Sequence, residues 1–128
     1  MDHLLDTHAF LWIVADDRRL GRTAKARFLD EQHEFMLSIV SVWEMAIKVS
    51  LDKLELPDKV ETWVRRQLAA NRIRLLPLDF EHAARVDQLP FHHRDPFDRL
   101  LAVQALAEKL PLLSADRQFD KYGVDRIW

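Results

Sequence analysis

Four acidic residues stand where carboxylates can act together. Asp6 directly follows the apolar pair Leu4-Leu5, and Glu44 sits in the apolar stretch Ser41–Leu51. Asp98 lies just past Asp95-Pro96, and Asp116 just past Ser114. Carboxylates gathered within a few ångströms repel one another, and such a group stays ionised at neutral pH only with cations among its members. The chain has no cysteine and no well-spaced histidines, so the donors are hard oxygens, which select Mg²⁺ or Mn²⁺ over zinc. One or two such ions can bind a phosphodiester, lower the pKa of a bound water and stabilise the departing oxygen. The chemistry that fits is metal-assisted hydrolysis of a phosphate ester.

Each acid taken singly also has an ordinary structural role. Asp6, Asp95 and Asp116 suit helix N-caps, each worth about 1 kcal/mol. Asp98, in the first turn if Asp95 is the cap, favours the helix dipole by a few tenths of a kcal/mol. Glu44 can pair with Lys48 at i,i+4, a contact worth ~0.3–0.5 kcal/mol. Glu44 fits its ordinary role least well, because it is the only acid between Phe35 and Leu51. Val40, Val42, Trp43, Met45, Ala46, Ile47 and Val49 surround it, so a buried helix is expected there, with its carboxylate near a core. An unpaired buried carboxylate costs several kcal/mol, which a cation would offset.

The elements that must position these groups alternate along the chain. Short strands are expected at Leu4-Leu5, Phe35–Leu37, Ile73–Leu78, Pro111–Ser114 and Val124–Trp128. Helical signals cover Ala9–Val14, residues 22–31, Ser41–Leu51, 58–70, 80–88 and 96–109, with a short helix at Asp116–Asp120. Asp79 is the expected N-cap of the helix 80–88. Asp95 followed by Pro96 is a helix start, an N-cap carboxylate before proline at the first helical position. Strands alternating with helices imply βαβ units: the fold class is α/β, a short central parallel sheet flanked by helices. In such sheets ligands bind beyond the C-terminal strand ends, which is where Asp6, Glu44 and Asp116 fall.

Composition limits the alternatives. The 128 residues are 48% hydrophobic and 31% charged, which excludes disorder and suits one domain, residues 1–128. No apolar run reaches the ~18–20 residues that span a bilayer, and Asp2 and Asp6 stand where a signal peptide would be positive. A soluble cytoplasmic protein with no membrane partner is expected. A net charge of -2 means that attraction to nucleic acid must come from a local patch or from bound cations.

Four segments carry a family resemblance: LLDTHAFLW, SIVSVWEMAIK, RDPFDRLLAVQALAEKLPLLSAD and YGVDRIW. Together, over residues 2–128, the chain resembles the PIN-domain family, and more closely the VapC-type toxins of bacterial toxin–antitoxin pairs. The resemblance implies a PIN-like fold and a Mg²⁺- or Mn²⁺-dependent endoribonuclease. Carried over by position, Asp6 and Asp98 would be the principal metal ligands, with Glu44 and Asp116 completing the catalytic set and Ser114 supporting it. The family also implies a homodimer and a VapB-type antitoxin that places a basic side chain in the acidic site. Two other readings use the same acids: a metal-dependent phosphatase or DNA nuclease, and a non-catalytic module that grips a partner's arginines.

Other groups were weighed against ordinary roles. Arg94 and Arg99 flank the Asp95–Asp98 turn, and either is expected to contact phosphate or to neutralise the acids when no metal is bound. Residues 18–27 hold five Lys/Arg and no acid, an RNA-docking segment or a solvated helix face. His92 and His93, which as neighbours would point apart on any regular element, make a poor metal pair, His8 near Asp6 suits packing or capping, and no histidine is assigned a catalytic role. Trp43 and Trp63 are expected in the core, and Trp12 at an interface.

Overall fold

The computed structural model describes residues 1–128. In chain order the first half contains β1 (Asp2–Leu5), α1 (Thr7–Ala15), α2 (Arg22–Leu29), β2 (Glu34–Ser38), α3 (Ile39–Ser50) and α4 (Val60–Asn71). There follow β3 (Ile73–Leu76), α5 (Phe80–Ala84), a 3-10 turn Arg85–Gln88, and α6 (Pro96–Ala107). The chain ends with β4 (Leu112–Leu113), a 3-10 turn Arg117–Tyr122, and β5 (Arg126–Ile127).

The five strands form one sheet in the order β3-β2-β1-β4-β5, every neighbouring pair parallel. Leu5 pairs in register with Leu37 on one side and Leu113 on the other. Both faces of the sheet are covered, so β1 has no polar side to show, and Leu4 and Leu5 are both fully buried. Leu5, Leu37 and Leu113 pack with Phe10, Met45 and Trp63 of α1, α3 and α4. Leu4 and Leu112 face the other way, onto Leu101, Ala102 and Ala105 of α6. This is the expected α/β class, a short parallel sheet between helices.

The strand order reverses at β1 and β4: from β1 the chain builds outward through β2 and β3, then returns to lay β4 on the opposite side. Adjacent connections diverge at such a point and leave a crevice beyond the strand ends. Asp6 follows β1 and Asp116 follows β4, so topology alone brings both to that crevice.

Several expectations are corrected. The helix expected over 80–88 tightens after Ala84 into the 3-10 turn. The helix expected from Asp58 begins at Val60, because Asp58 turns back to accept the Lys59 N–H at 2.8 Å and pairs with Arg66. α3 begins two residues early, since Ser38 caps it by accepting the Val40 N–H at 3.0 Å. Nor is α3 buried all round: Val40, Ser41, Glu44 and Met45 face inward, while Trp43 is 51% exposed and meets Phe97 edge-on. Only one face of the helix meets the sheet, so an all-round apolar sequence leaves an apolar outer face. Trp12, expected at an interface, is half-buried: Trp128 and His8 pack against it and Arg19 lies over its ring. No helix is long and apolar enough to cross a membrane.

Candidate active site

Each acid is delivered by the element that begins beside it. Asp6 caps α1, its Oδ1 accepting the Ala9 N–H at 2.7 Å, while its own N–H donates to Leu113 and locks β1 to β4. Ser114 stands between the two strand ends: its hydroxyl accepts the Asp116 N–H at 3.0 Å and favours the charged form of the Asp6 carboxyl. Asp116 in turn caps the 3-10 turn, accepting from the Gln118 N–H at 2.9 Å. Asp95 caps α6 by accepting the Phe97 N–H at 2.8 Å, which sets Asp98 in the first turn. Glu44 lies on the inner face of α3, where the Thr7 hydroxyl donates to Oε1 at 2.7 Å and Lys48 Nζ to Oε2 at 2.6 Å. The Lys48 pair considered from spacing is therefore present, and it is part of the pocket.

Asp6, Glu44, Asp95, Asp98 and Asp116 line one pocket of about 160 Å³ together with Thr7, His8 and Lys48, and no apolar side chain joins them. Burial pushes the Asp6 carboxyl above its ordinary pKa, against the pull of the Ser114 and Ala9 hydrogen bonds. Asp98 is pushed up to about 7, first by burial and then by the charge of Asp95, with Glu44 and Asp116 adding to it and His93 opposing. No protein hydrogen bond stabilises the charged form of Asp98. Five carboxylates against a single ammonium, all hard oxygen donors, form a set that fits Mg²⁺ or Mn²⁺.

Histidine chemistry escaped the sequence reading. His93 Nε2 lies 2.6 Å from Asp116 Oδ2, and the ligand atoms of His93, Asp98 and Asp116 all lie within 4.8 Å of one another. The neighbours His92 and His93, expected to point apart, both pack against Tyr122, and His93 reaches the site. No spacing signals this, because both lie in a loop.

The basic residues fall elsewhere. Arg99, expected to contact phosphate or neutralise the acids, is 6% exposed, and its guanidinium donates to the carbonyls of Val86, Leu89 and Pro90. One position on from Asp98, about 100° round the helix, its side chain turns inward and braces the loop instead. Arg94 is exposed on that loop. In the segment 18–27, Arg19 pairs with Asp17, Lys25 with Asp16 and Arg27 with His3, and none of its cations lines the pocket.

A family model, the PIN domain, matches residues 3–125. The chain belongs to the PIN-domain family. The four acids of the PIN resemblance are thus found in one pocket of a PIN fold. No curated protein sequence matches it. Among solved structures, this PIN domain is similar to VapBC2 from Rickettsia felis bound to a promoter DNA fragment. The TM-score is 0.70, at 14% identity over all of both chains. It is also similar to FitAcB from Neisseria gonorrhoeae, with a TM-score of 0.64 and 22% identity over 98% of this chain and 96% of that one. A FitAB structure bound to an IR36 DNA fragment gives a TM-score of 0.66 at 22% identity over 98% and 93% of the two chains. At these identities the likeness is one of fold.

Proposed function

We propose that this PIN domain is a Mg²⁺- or Mn²⁺-dependent endoribonuclease and the toxin of a toxin–antitoxin pair, acting in the cytoplasm as one domain. The observation that carries the reading is the meeting of Asp6, Glu44, Asp98 and Asp116, from four separate elements, in one pocket. Asp6 and Asp98 would hold the cation, with Glu44 and Asp116 completing the set. When bound, the cation supplies the positive charge that draws in a phosphodiester and acidifies water. Ser114 fixes Asp6 and Asp116 relative to each other, and Thr7 fixes Glu44. Lys48, held by Glu44 at the pocket wall, offers a phosphate oxygen a donor.

The structural neighbours support the choice of partner. VapBC2 and FitAB were solved as complexes bound to DNA, which supports a VapB-type antitoxin for this chain. A homodimer and an antitoxin both require apolar surface. The outer face of α3 provides it, with a groove of about 300 Å³ against α4 lined by Ile39, Val42, Val60, Val64 and Leu75.

The experiment is incubation with RNA, DNA and a phosphomonoester, with and without Mg²⁺, for the native chain and Asp6→Asn. Metal-stimulated cleavage of RNA alone is expected, lost in Asp6→Asn while the circular dichroism is unchanged. Cleavage of DNA or of the monoester instead would make the enzyme a DNA nuclease or phosphatase. Tight binding of a basic peptide with no cleavage of anything would make it a non-catalytic binding module. Undiminished cleavage by Asp6→Asn would remove that carboxylate from the chemistry.

A further inference from the structure

We propose that His93 is a positioning residue: it orients the Asp116 carboxylate for the cation through an Nε2–H donor, and is not itself a ligand. This rests on the metal-site reading above and names a component that the four-acid pattern omits.

The imidazole is held from all sides. Its side chain is 7% exposed, and its ring lies nearly parallel to that of Tyr122, with centroids 5.5 Å apart and planes 16° off. Phe119 packs against it at 4.7 Å. Both ring nitrogens are engaged. A carboxylate only accepts hydrogen bonds, so Nε2, 2.6 Å from Asp116 Oδ2, carries the proton. Nδ1 then presents its lone pair to the Tyr122 hydroxyl at 2.8 Å. An imidazole whose Nε2 proton is directed at Oδ2 has no lone pair to give a metal.

Asp116 shows what the contact achieves. Its Oδ1 accepts from the Gln118 N–H and its Oδ2 from His93, so one donor on each oxygen fixes the rotation of the carboxylate. Each oxygen keeps a lone pair for the pocket. Without His93 the group would turn about a single hydrogen bond. The loop bearing His93 is itself braced, since Arg99 binds the carbonyls of Val86, Leu89 and Pro90 and its guanidinium lies over the Phe91 ring at 4.0 Å. Groups that orient a metal ligand typically change metal affinity or activity about 10–100-fold when removed.

The test compares His93→Phe, which keeps the stacked ring and removes both nitrogens, with His93→Gln, whose amide restores a donor. Mn²⁺ affinity is read by electron paramagnetic resonance, alongside RNA cleavage and thermal melting in chelator. His93→Phe is expected to weaken Mn²⁺ binding about 10–100-fold, and His93→Gln to recover most of it. In an Asp116→Ala background, His93→Phe should cost nothing further, because the effect passes through Asp116. Native affinity in His93→Phe, equal loss in His93→Gln, or additive losses in the double variant would each overturn the proposal. Should His93→Phe fail to fold, His93→Leu takes its place: it also removes the Nε2 donor, and affinity unchanged from the native chain would overturn the proposal equally. A native chain that binds Mn²⁺ but cuts no RNA removes the nuclease reading and leaves this one standing. A native chain that binds no Mn²⁺ removes both.

Discussion

Asp98 sits in the first turn of α6 facing Asp95, Glu44 and Asp116, and its carboxyl is pushed up to about 7. In the unfolded chain the same group titrates near its ordinary value of 3.8. Between those values the folded chain holds a proton that the unfolded chain has released, so stability falls as pH rises through the window. Asp6, also raised by burial, acts with the same sign. The chelated protein should therefore melt at a lower temperature at about pH 8 than at about pH 5. Saturating Mg²⁺ should offset that fall, because the cation binds the ionised carboxylates and competes with their protons. A chelated melting temperature that rises across the window would contradict this account of Asp98. Lys48 supplies a second test. Its ammonium is the one basic partner of the buried Glu44 carboxylate, but it is about one-third exposed, so its removal costs less than breaking a fully buried pair. Lys48→Met should destabilise the chelated chain by about 1–3 kcal/mol, and Mg²⁺ should restore more stability to the variant than to the native chain. Equal Mg²⁺ stabilisation in both would show that Lys48 does not share the field of the pocket.

At the scale of elements, the acids could be read from the sequence because each adjoins a boundary that leaves a local mark. Asp6 and Asp116 follow short apolar runs, and Asp98 follows an Asp-Pro helix start. Glu44 stood out as the only charge among apolar neighbours before Lys48. His93 left no such mark: its partners Asp116, Phe119 and Tyr122 arrive from more than twenty residues later, on a turn whose position depends on the fold. Arg99 misled for a related reason, since a charged residue beside Asp98 reads as surface until the helix face is known. Its fork reaches three carbonyls at once, of which Val86 and Pro90 also accept a backbone N–H while Leu89 has Arg99 alone, and a lysine cannot match that geometry. Arg99→Lys should cost about 1–3 kcal/mol of stability by urea denaturation, the penalty for leaving the buried Leu89 carbonyl unpaired. A loss below about 0.5 kcal/mol, the range of an ordinary surface change, would show that the loop holds itself.

Over the whole molecule, strand order was the information that alternation of strands and helices does not contain. Placing β4 beside β1 rather than beside β3 opens the crevice and gathers acids that lie far apart in the chain. The same arrangement concentrates negative charge. Five carboxylates face one ammonium in a protein of net charge -2, and the basic segment 18–27 is largely paired away from the pocket. A polyanion approaching this surface meets repulsion until divalent cations occupy the site, so cations rather than side chains must supply the attraction. Binding of a hydrolysis-resistant single-stranded RNA should therefore vanish in chelator and return with Mg²⁺. Each phosphate neutralised on a single strand contributes about −0.7 to the slope of log affinity against log salt, so about three contacts predict a KCl slope near −2 at fixed Mg²⁺. A slope steeper than about −5, with binding that survives chelation, would mean that a basic surface grips the RNA. The acidic pocket would then have to be explained without a nucleic-acid substrate.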